Sequence, residues 1–335
     1  MLPSFSIGRR WTAIAILGSL AAGCSAAGTS NGPAIGTAQP GAQRTLNDNR
    51  SLANGFGSPS AATGVRPNGW VSPERKRRHK PTLFYWGNFD TNTITILSSS
   101  GKQKGQITSG LYNPERLFVD KKGDVFATNI GYNGSSKYSI TGYKPGQTTP
   151  FITITNGVNR PTGLTVDGAG TVYCANVGNN TITVYPKGQT SPSLTIPYFA
   201  EYLATDAQDN LYAAGTAVEK FPPGSTTGTD LGLPAYPGAI EVDRSGNIIV
   251  LYGAQIEYFP AGKTIPSKEI PVTAGSPFAL SLSGNEKTLY VSVEAATPFI
   301  VQSVAYPSGS TLSNKFTSNA GDWPIAVSPD NALGG

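Results

Sequence analysis

The sequence predicts an all-β fold, a six-bladed β-propeller of four-stranded antiparallel blades, and three observations carry that prediction. A motif of the form Pro-x-x-apolar-x-apolar-Asp-x-x-Gly recurs along residues 81–335. A second landmark, an aromatic residue three places before a glycine, recurs in step with it. Between these landmarks lie short apolar runs of strand length, each closed by a turn signal.

The first landmark reads "PERLFVDKKG" (114–123), "PTGLTVDGAG" (161–170) and "PGAIEVDRSG" (237–246), with degraded copies at 200–209, 277–286 and 322–331. It places Asp120, Asp167, Asp206, Asp243, Ser283 and Ser328 in equivalent positions, separated by 47, 39, 37, 40 and 45 residues. The second landmark falls at Tyr143/Gly146, Tyr185/Gly188, Phe221/Gly224, Phe259/Gly262 and Tyr306/Gly309, while the first unit keeps only Gly101. Proline pre-sets a turn torsion and glycine permits positive φ, so "YPKG", "FPPG", "FPAG" and "YPSG" read as hairpin turns. The aromatic ahead of each turn is expected to pack between neighbouring sheets.

Within one unit the runs "GLTV", "TVYCAN", "TITVYP" and "SLTIP" supply four strands. Four antiparallel strands per period of about 40–45 residues is the arithmetic of a propeller blade. The phase of the repeat predicts how the ring closes. The unit opening at Leu83 lacks a first strand, and "WPIAVSPDNALGG" has a first strand and little more. Residues 323–328 are therefore expected to complete the sheet begun at Leu83, so that the N- and C-terminal strands share one blade and no exposed edge remains.

Ahead of the ring, two segments read differently. Arg9 and Arg10 precede the apolar run 11–23, which is short for a membrane span and reads as a signal peptide over 1–23. Its end, "LAAGC", resembles a bacterial lipobox, which implies lipidation of Cys24; ordinary cleavage and secretion is the alternative. Residues 24–80 are rich in Gly, Ala, Ser, Asn and Pro without apolar periodicity, and read as a disordered tether. Such a chain would span about 40 Å root-mean-square. It closes in the basic run "ERKRRHK" (74–80), which is either attracted to anionic lipid or cell-wall polymer or simply solvated. The expected location is the cell envelope, at the outer membrane where one exists, because Ser25 rather than an acid follows the cysteine.

Charge excludes one class of partner. The chain is formally +5, yet residues 1–80 hold ten of the 25 bases and two of the 20 acids, leaving the ring with 15 bases and 18 acids. Nucleic-acid binding by the ring is not expected. With one cysteine in the ring, Cys174 in "TVYCAN", a disulfide framework is excluded and the thiol reads as core.

The residues of "PTGLTVDGAGTVYCANVGNNTITVY" resemble repeats of the NHL and streptogramin (virginiamycin B) lyase-like propellers of bacteria, over about 81–335. That superfamily mixes lyases, lactonases and pure binding modules, so the resemblance implies a fold rather than an activity. It implies a catalytic histidine in the central cleft for the lyases. The single histidine here is His79, in the tether, so the ring has none to supply that role, a Ser–His pair or a histidine metal site.

The candidate site is the rim of the channel. The repeated Asp residues begin tight turns and read as caps of their own backbone. Five places before them stand Glu115, Thr162, Glu201, Gly238, Phe278 and Trp323, with Arg116 and Tyr202 beside them, all expected on one rim. Asn88, Asn129 and Asn176 end the second strand of three successive blades and are expected to approach the same rim, or else to satisfy turn backbone. Two carboxylates, three amides and two large aromatics suit a polar ligand with apolar faces. They would also suit a divalent cation such as Ca²⁺ or Mg²⁺; regucalcin-like lactonases hold an acid-and-amide metal site in this place, although their motif has no residue-by-residue match here.

Two readings follow. The first is a monomeric, surface-tethered propeller that binds a polymer, small molecule or protein without catalysis and without a required cofactor. The second is a metal-dependent lactonase- or lyase-like enzyme using Glu115 and Glu201.

Overall fold

The computed structural model describes residues 82–131, 138–294, 299–318 and 325–327. Among these residues the chain forms 24 strands in six four-stranded antiparallel sheets and no helix. Residues 1–81, and with them Cys24 and the basic run, lie outside the described residues, as do Trp323 and Ser328.

Blade one joins the two ends of the ring. Its innermost strand is Ile325–Val327, which pairs antiparallel with Leu83–Asn88, setting Phe84 opposite Val327 and Trp86 opposite Ile325. The strands Thr93–Ser98 and Gln103–Ile107 complete it outward. The innermost strands of blades two to six are Pro114–Val119, Pro161–Val166, Ala200–Thr205, Ala239–Val242 and Ser276–Leu282. Each is followed outward by three more strands in chain order. The shared blade is thus present as the repeat phase required.

The core is divided among the blade interfaces. Alternation along each strand sends one set of side chains to the blade before and the other to the blade after. Leu164 and Val166 of blade three, for example, cluster with Phe126, Ile140 and Ile154 of blade two. Tyr143, Tyr185, Phe221, Phe259 and Tyr306, the aromatics ahead of the hairpin turns, each join a cluster shared with the preceding blade. Burying a side chain of that size contributes roughly 1.5–3 kcal/mol. The two fully buried tyrosines among them keep their hydroxyls satisfied: Tyr143 donates to the Ser109 carbonyl and Tyr185 to the Asn156 carbonyl, both at 2.7 Å.

Blade one has Ser98 where the others have an aromatic, and the space is filled from blade six. Phe316 packs edge-on against Phe84 with ring centroids 5.0 Å apart. The ring leaves no room at Gly101, where a Cβ would lie 2.8 Å from Phe316 Cβ and φ is +78°. Cys174 is buried in the cluster between blades two and three, and burial pushes its thiol pKa upward.

Candidate binding site at the channel mouth

The innermost strands all run the same way, so the ring has two unlike faces. One carries the starts of these strands and the other their Asp turns. On the Asp face the repeated acids are bonded to their own turns. Asp120 accepts the Lys122 and Asp124 backbone N–H groups at 2.8 Å each. Asp206 accepts Gln208 and Asn210 N–H at 3.0 and 2.9 Å, the Tyr212 hydroxyl at 3.1 Å and Lys220 Nζ at 3.1 Å. Asp243 accepts Ser245 and Asn247 N–H and, from the next blade, the Tyr306 hydroxyl at 2.7 Å. Burial would raise the Asp206 pKa, but the Asn210 side chain and backbone and then Lys220 outweigh it and hold the carboxyl low. These acids build turns. Where a turn lacks its glycine, Asp209 and Glu286 take the left-handed conformation themselves, at φ +60° and +53°.

The opposite face has a device the sequence did not announce. Glu115, Thr162, Glu201 and Phe278 each occupy a register shift between Pro114/Arg116, Pro161/Gly163, Ala200/Tyr202 and Pro277/Ala279. In each case the second strand skips that residue, as in a β-bulge, which breaks the alternation and re-aims the neighbouring side chains. Blade five has no such shift: Ala239 pairs directly with Leu251 and Gly238 lies outside the strand.

The bulges bring blades two and four together across blade three. The Arg116 guanidinium carbon lies over the Tyr202 ring, 4.5 Å from its centroid. Gly163 of the intervening blade allows the close packing there: a Cβ would sit 2.9 Å from Ala175 Cβ and 3.0 Å from the Glu201 carbonyl. Glu201 is exposed, yet the surrounding protein strips enough water from its carboxyl to raise its pKa. Arg116 pulls that pKa down and Glu115 pushes it up again. No hydrogen bond or ion pair engages the side chains of Glu115, Arg116 or Glu201 among the described residues. Arg116 Nε and, on blade three, Thr162 Oγ1 are buried without a partner.

The three amides are engaged by loop backbone. Asn88, Asn129 and Asn176 are buried, and their oxygens accept the Thr91, Tyr112 and Asn159 backbone N–H groups at 2.8, 3.0 and 2.9 Å. The Asn129 amide nitrogen donates to Ser139 and Thr141 hydroxyls, and that of Asn176 to Thr183. They fasten loops to strand ends, the alternative role expected of them, because backbone donors inside the fold claim their oxygens. Among the described residues no group of three or more His, Cys, Asp or Glu side chains is placed to hold a metal.

A cavity of about 400 Å³ runs along the ring axis, from Arg116, Tyr202 and Phe278 at the mouth to Lys121, Asp209 and Arg244 on the Asp face. Its wall contains a carboxyl that sequence reasoning missed. Glu241 is half-buried beside blade six, and burial pushes its pKa up to about 8, with the Leu282 backbone N–H offsetting part of the rise. Its signal was available: the equivalent positions two before the Asp place hold Phe118, Thr165, Ala204, Ser281 and Ala326, none of them charged.

No family model matches the chain, and no curated protein matches it. Among solved structures, a chain of the nidogen/laminin complex is 17% identical with a TM-score of 0.58, over 75% of this chain and 100% of that one. A Bacteroides caccae protein of unknown function gives 0.57 at 10% identity, over 74% and 99%. A Bacteroides uniformis protein provisionally assigned as a 6-phosphogluconolactonase gives 0.51 at 15%, over 72% and 84%. At these identities the likeness shows the six-bladed propeller fold alone.

Proposed function

We propose that the chain is an exported envelope protein, anchored through lipid on Cys24 and carrying its NHL-like ring on the tether 24–80, and that the ring binds a ligand at the bulged mouth without catalysis. One observation carries the binding reading: Arg116 is stacked on Tyr202 above an open cavity with its guanidinium donors unengaged among the described residues. A side chain held that firmly and bonded to nothing is a recognition group more readily than a structural one. Glu115, Glu201 and Phe278 flank it, and Trp323 follows them in the repeat.

Capture tests this. Applied to arrays of envelope polymers, small molecules and peptides, the full chain should retain a ligand that the double variant Phe278→Ala/Trp323→Ala loses by a few kcal/mol, as for aromatic anchors. Equal capture by both proteins would sink the reading. Anchoring is tested separately: Cys24→Ser should move the protein from membrane to soluble fractions, since stable anchoring requires more than one acyl signal. Unchanged partition would leave simple secretion.

Glu241 favours a second reading. A carboxyl titrating near neutrality is suited to general acid–base catalysis. However, no charged neighbour tunes it, and it sits deep in the channel away from Glu115 and Glu201. Turnover of a lactone with Mg²⁺, Mn²⁺ or Ca²⁺ added, abolished by Glu115→Gln, Glu201→Gln or Glu241→Gln, would replace the binding reading with the enzyme.

A further inference from the structure

The charges at the mouth define a class of ligand, an inference that rests on reading the mouth as the binding site. Glu115 and Arg116 come from blade two and Glu201 from blade four. They are close enough for Glu201 to respond to both of the others, yet no nitrogen–oxygen pair among them closes to ion-pair distance. The guanidinium carbon lies 4.5 Å from the Tyr202 ring centroid, and the guanidinium N–H groups make no hydrogen bond among the described residues. On the intervening blade three, Thr162 Oγ1 is buried and unpartnered.

The mixture of charges selects among ligands. A simple anion that reaches Arg116 also meets the carboxylates of Glu115 and Glu201. A simple cation satisfies the acids but leaves the guanidinium unmatched. A molecule carrying both charges a few ångströms apart satisfies all of them at once. The cavity, about 400 Å³, lies within the range of small-molecule sites.

We propose that the mouth binds a zwitterion of the amino-acid class, its carboxylate accepting from Arg116, its ammonium donating to Glu201 and Glu115, and its side chain lying toward Phe278. Charge-assisted bonds at both ends, one of them to a planar fork, give such a site its orientation as well as its affinity.

The test is calorimetric titration of the full chain with the free L-amino acids one at a time, at about pH 6, where an α-ammonium is fully charged. The best binder is then compared with its amide, which keeps only the ammonium, and its N-acetyl form, which keeps only the carboxylate. The free amino acid should bind at least about tenfold more tightly than either derivative. Arg116→Gln should weaken the free and N-acetyl forms and leave the amide unchanged, whereas Glu201→Gln should weaken the free form and the amide. Failure of every free amino acid to bind overturns the proposal, and so does a derivative that binds as well as its parent. If amino acids fail while polymer or peptide capture is still lost in Phe278→Ala/Trp323→Ala, only the ligand class is wrong. If those aromatic variants also change nothing, the mouth is not the binding site.

Discussion

On the Asp face of the ring, Asp120, Asp167, Asp206 and Asp243 each accept backbone N–H groups of their own turns; on the bulged face, the side chains of Glu115, Arg116 and Glu201 make no hydrogen bond or ion pair among the described residues. The two faces carry similar residue types and differ in repetition. An acid that returns in blade after blade answers a need every blade has, which is the same tight turn. A charge that appears in one or two blades answers no such need, and two of the unrepeated ones meet around Tyr202. In a repeat protein, departure from the repeat therefore points to function more directly than the repeat does. Glu241 is the same case inside the channel, a carboxyl where the other described blades have Phe, Thr, Ala, Ser or Ala.

The contrast exists only in a closed ring, so opening the ring should have the largest effect. Deleting 323–335 removes Ile325–Val327 from its pairing with Leu83–Asn88 and uncovers the edge of that strand. Total stabilities run at about 5–15 kcal/mol, and the truncated chain should aggregate or lose most of its melting transition. Deleting 25–73 should change neither. Next comes the Asp face. Asp206→Ala leaves the Gln208 and Asn210 N–H groups, the Tyr212 hydroxyl and Lys220 without their acceptor. A loss of roughly 2–4 kcal/mol is expected, about 2–4 °C in Tm per kcal/mol for a ring of this size. A near-neutral Asp206→Ala would remove the structural reading of that face.

How much of this was legible in sequence divides along the same line. Strand count, hairpin turns, interface aromatics and the shared blade followed from the period of the repeat, because each is requested by every unit. Asn88, Asn129 and Asn176 were legible as strand ends, but which of their two expected roles they take was not, since the direction of an amide is not visible in sequence. The bulges were invisible. Glu115, Thr162 and Phe278 each follow a proline, but that proline belongs to the repeated motif, and Glu201 follows Ala200, so only the pairing register reveals the extra residue. With them went the approach of Arg116 to Tyr202, which depends on contacts between blades rather than within one.

Glu241 sharpens the comparison through pH. Its folded-state pKa of about 8 lies above the ordinary 4.5, so between those values the folded chain holds a proton that the unfolded chain releases. Its contribution to stability is fully present below about pH 4.5 and declines as pH rises through 8. Asp206, held low by its bonds, has the opposite sign: its contribution is present at neutral pH and is lost as pH falls through its depressed value. Glu241→Gln should therefore melt higher than the parent at about pH 8, by roughly 2–4 °C or more, with the gap closing toward pH 5. A gap of the same size at both pH values would mean that the carboxyl is not buried in the way described.

The smallest effect on stability is expected where the effect on binding should be greatest. Arg116 contributes to the fold only its stack on Tyr202, an interaction worth roughly 0.5–1 kcal/mol. Against that, its Nε is buried without a partner, a cost that disappears when the guanidinium is removed. Arg116→Gln should therefore shift folding stability by no more than about 0.5 kcal/mol in either direction, and Glu115→Gln and Glu201→Gln by about as little. Chemical denaturation of the three variants beside Asp206→Ala gives the comparison on one scale. A loss of 2 kcal/mol or so in Arg116→Gln, matching the Asp-face variant, would show that the fold itself needs the guanidinium. The two faces would then differ only in which structural bonds they make, and the mouth would lose its claim as a site.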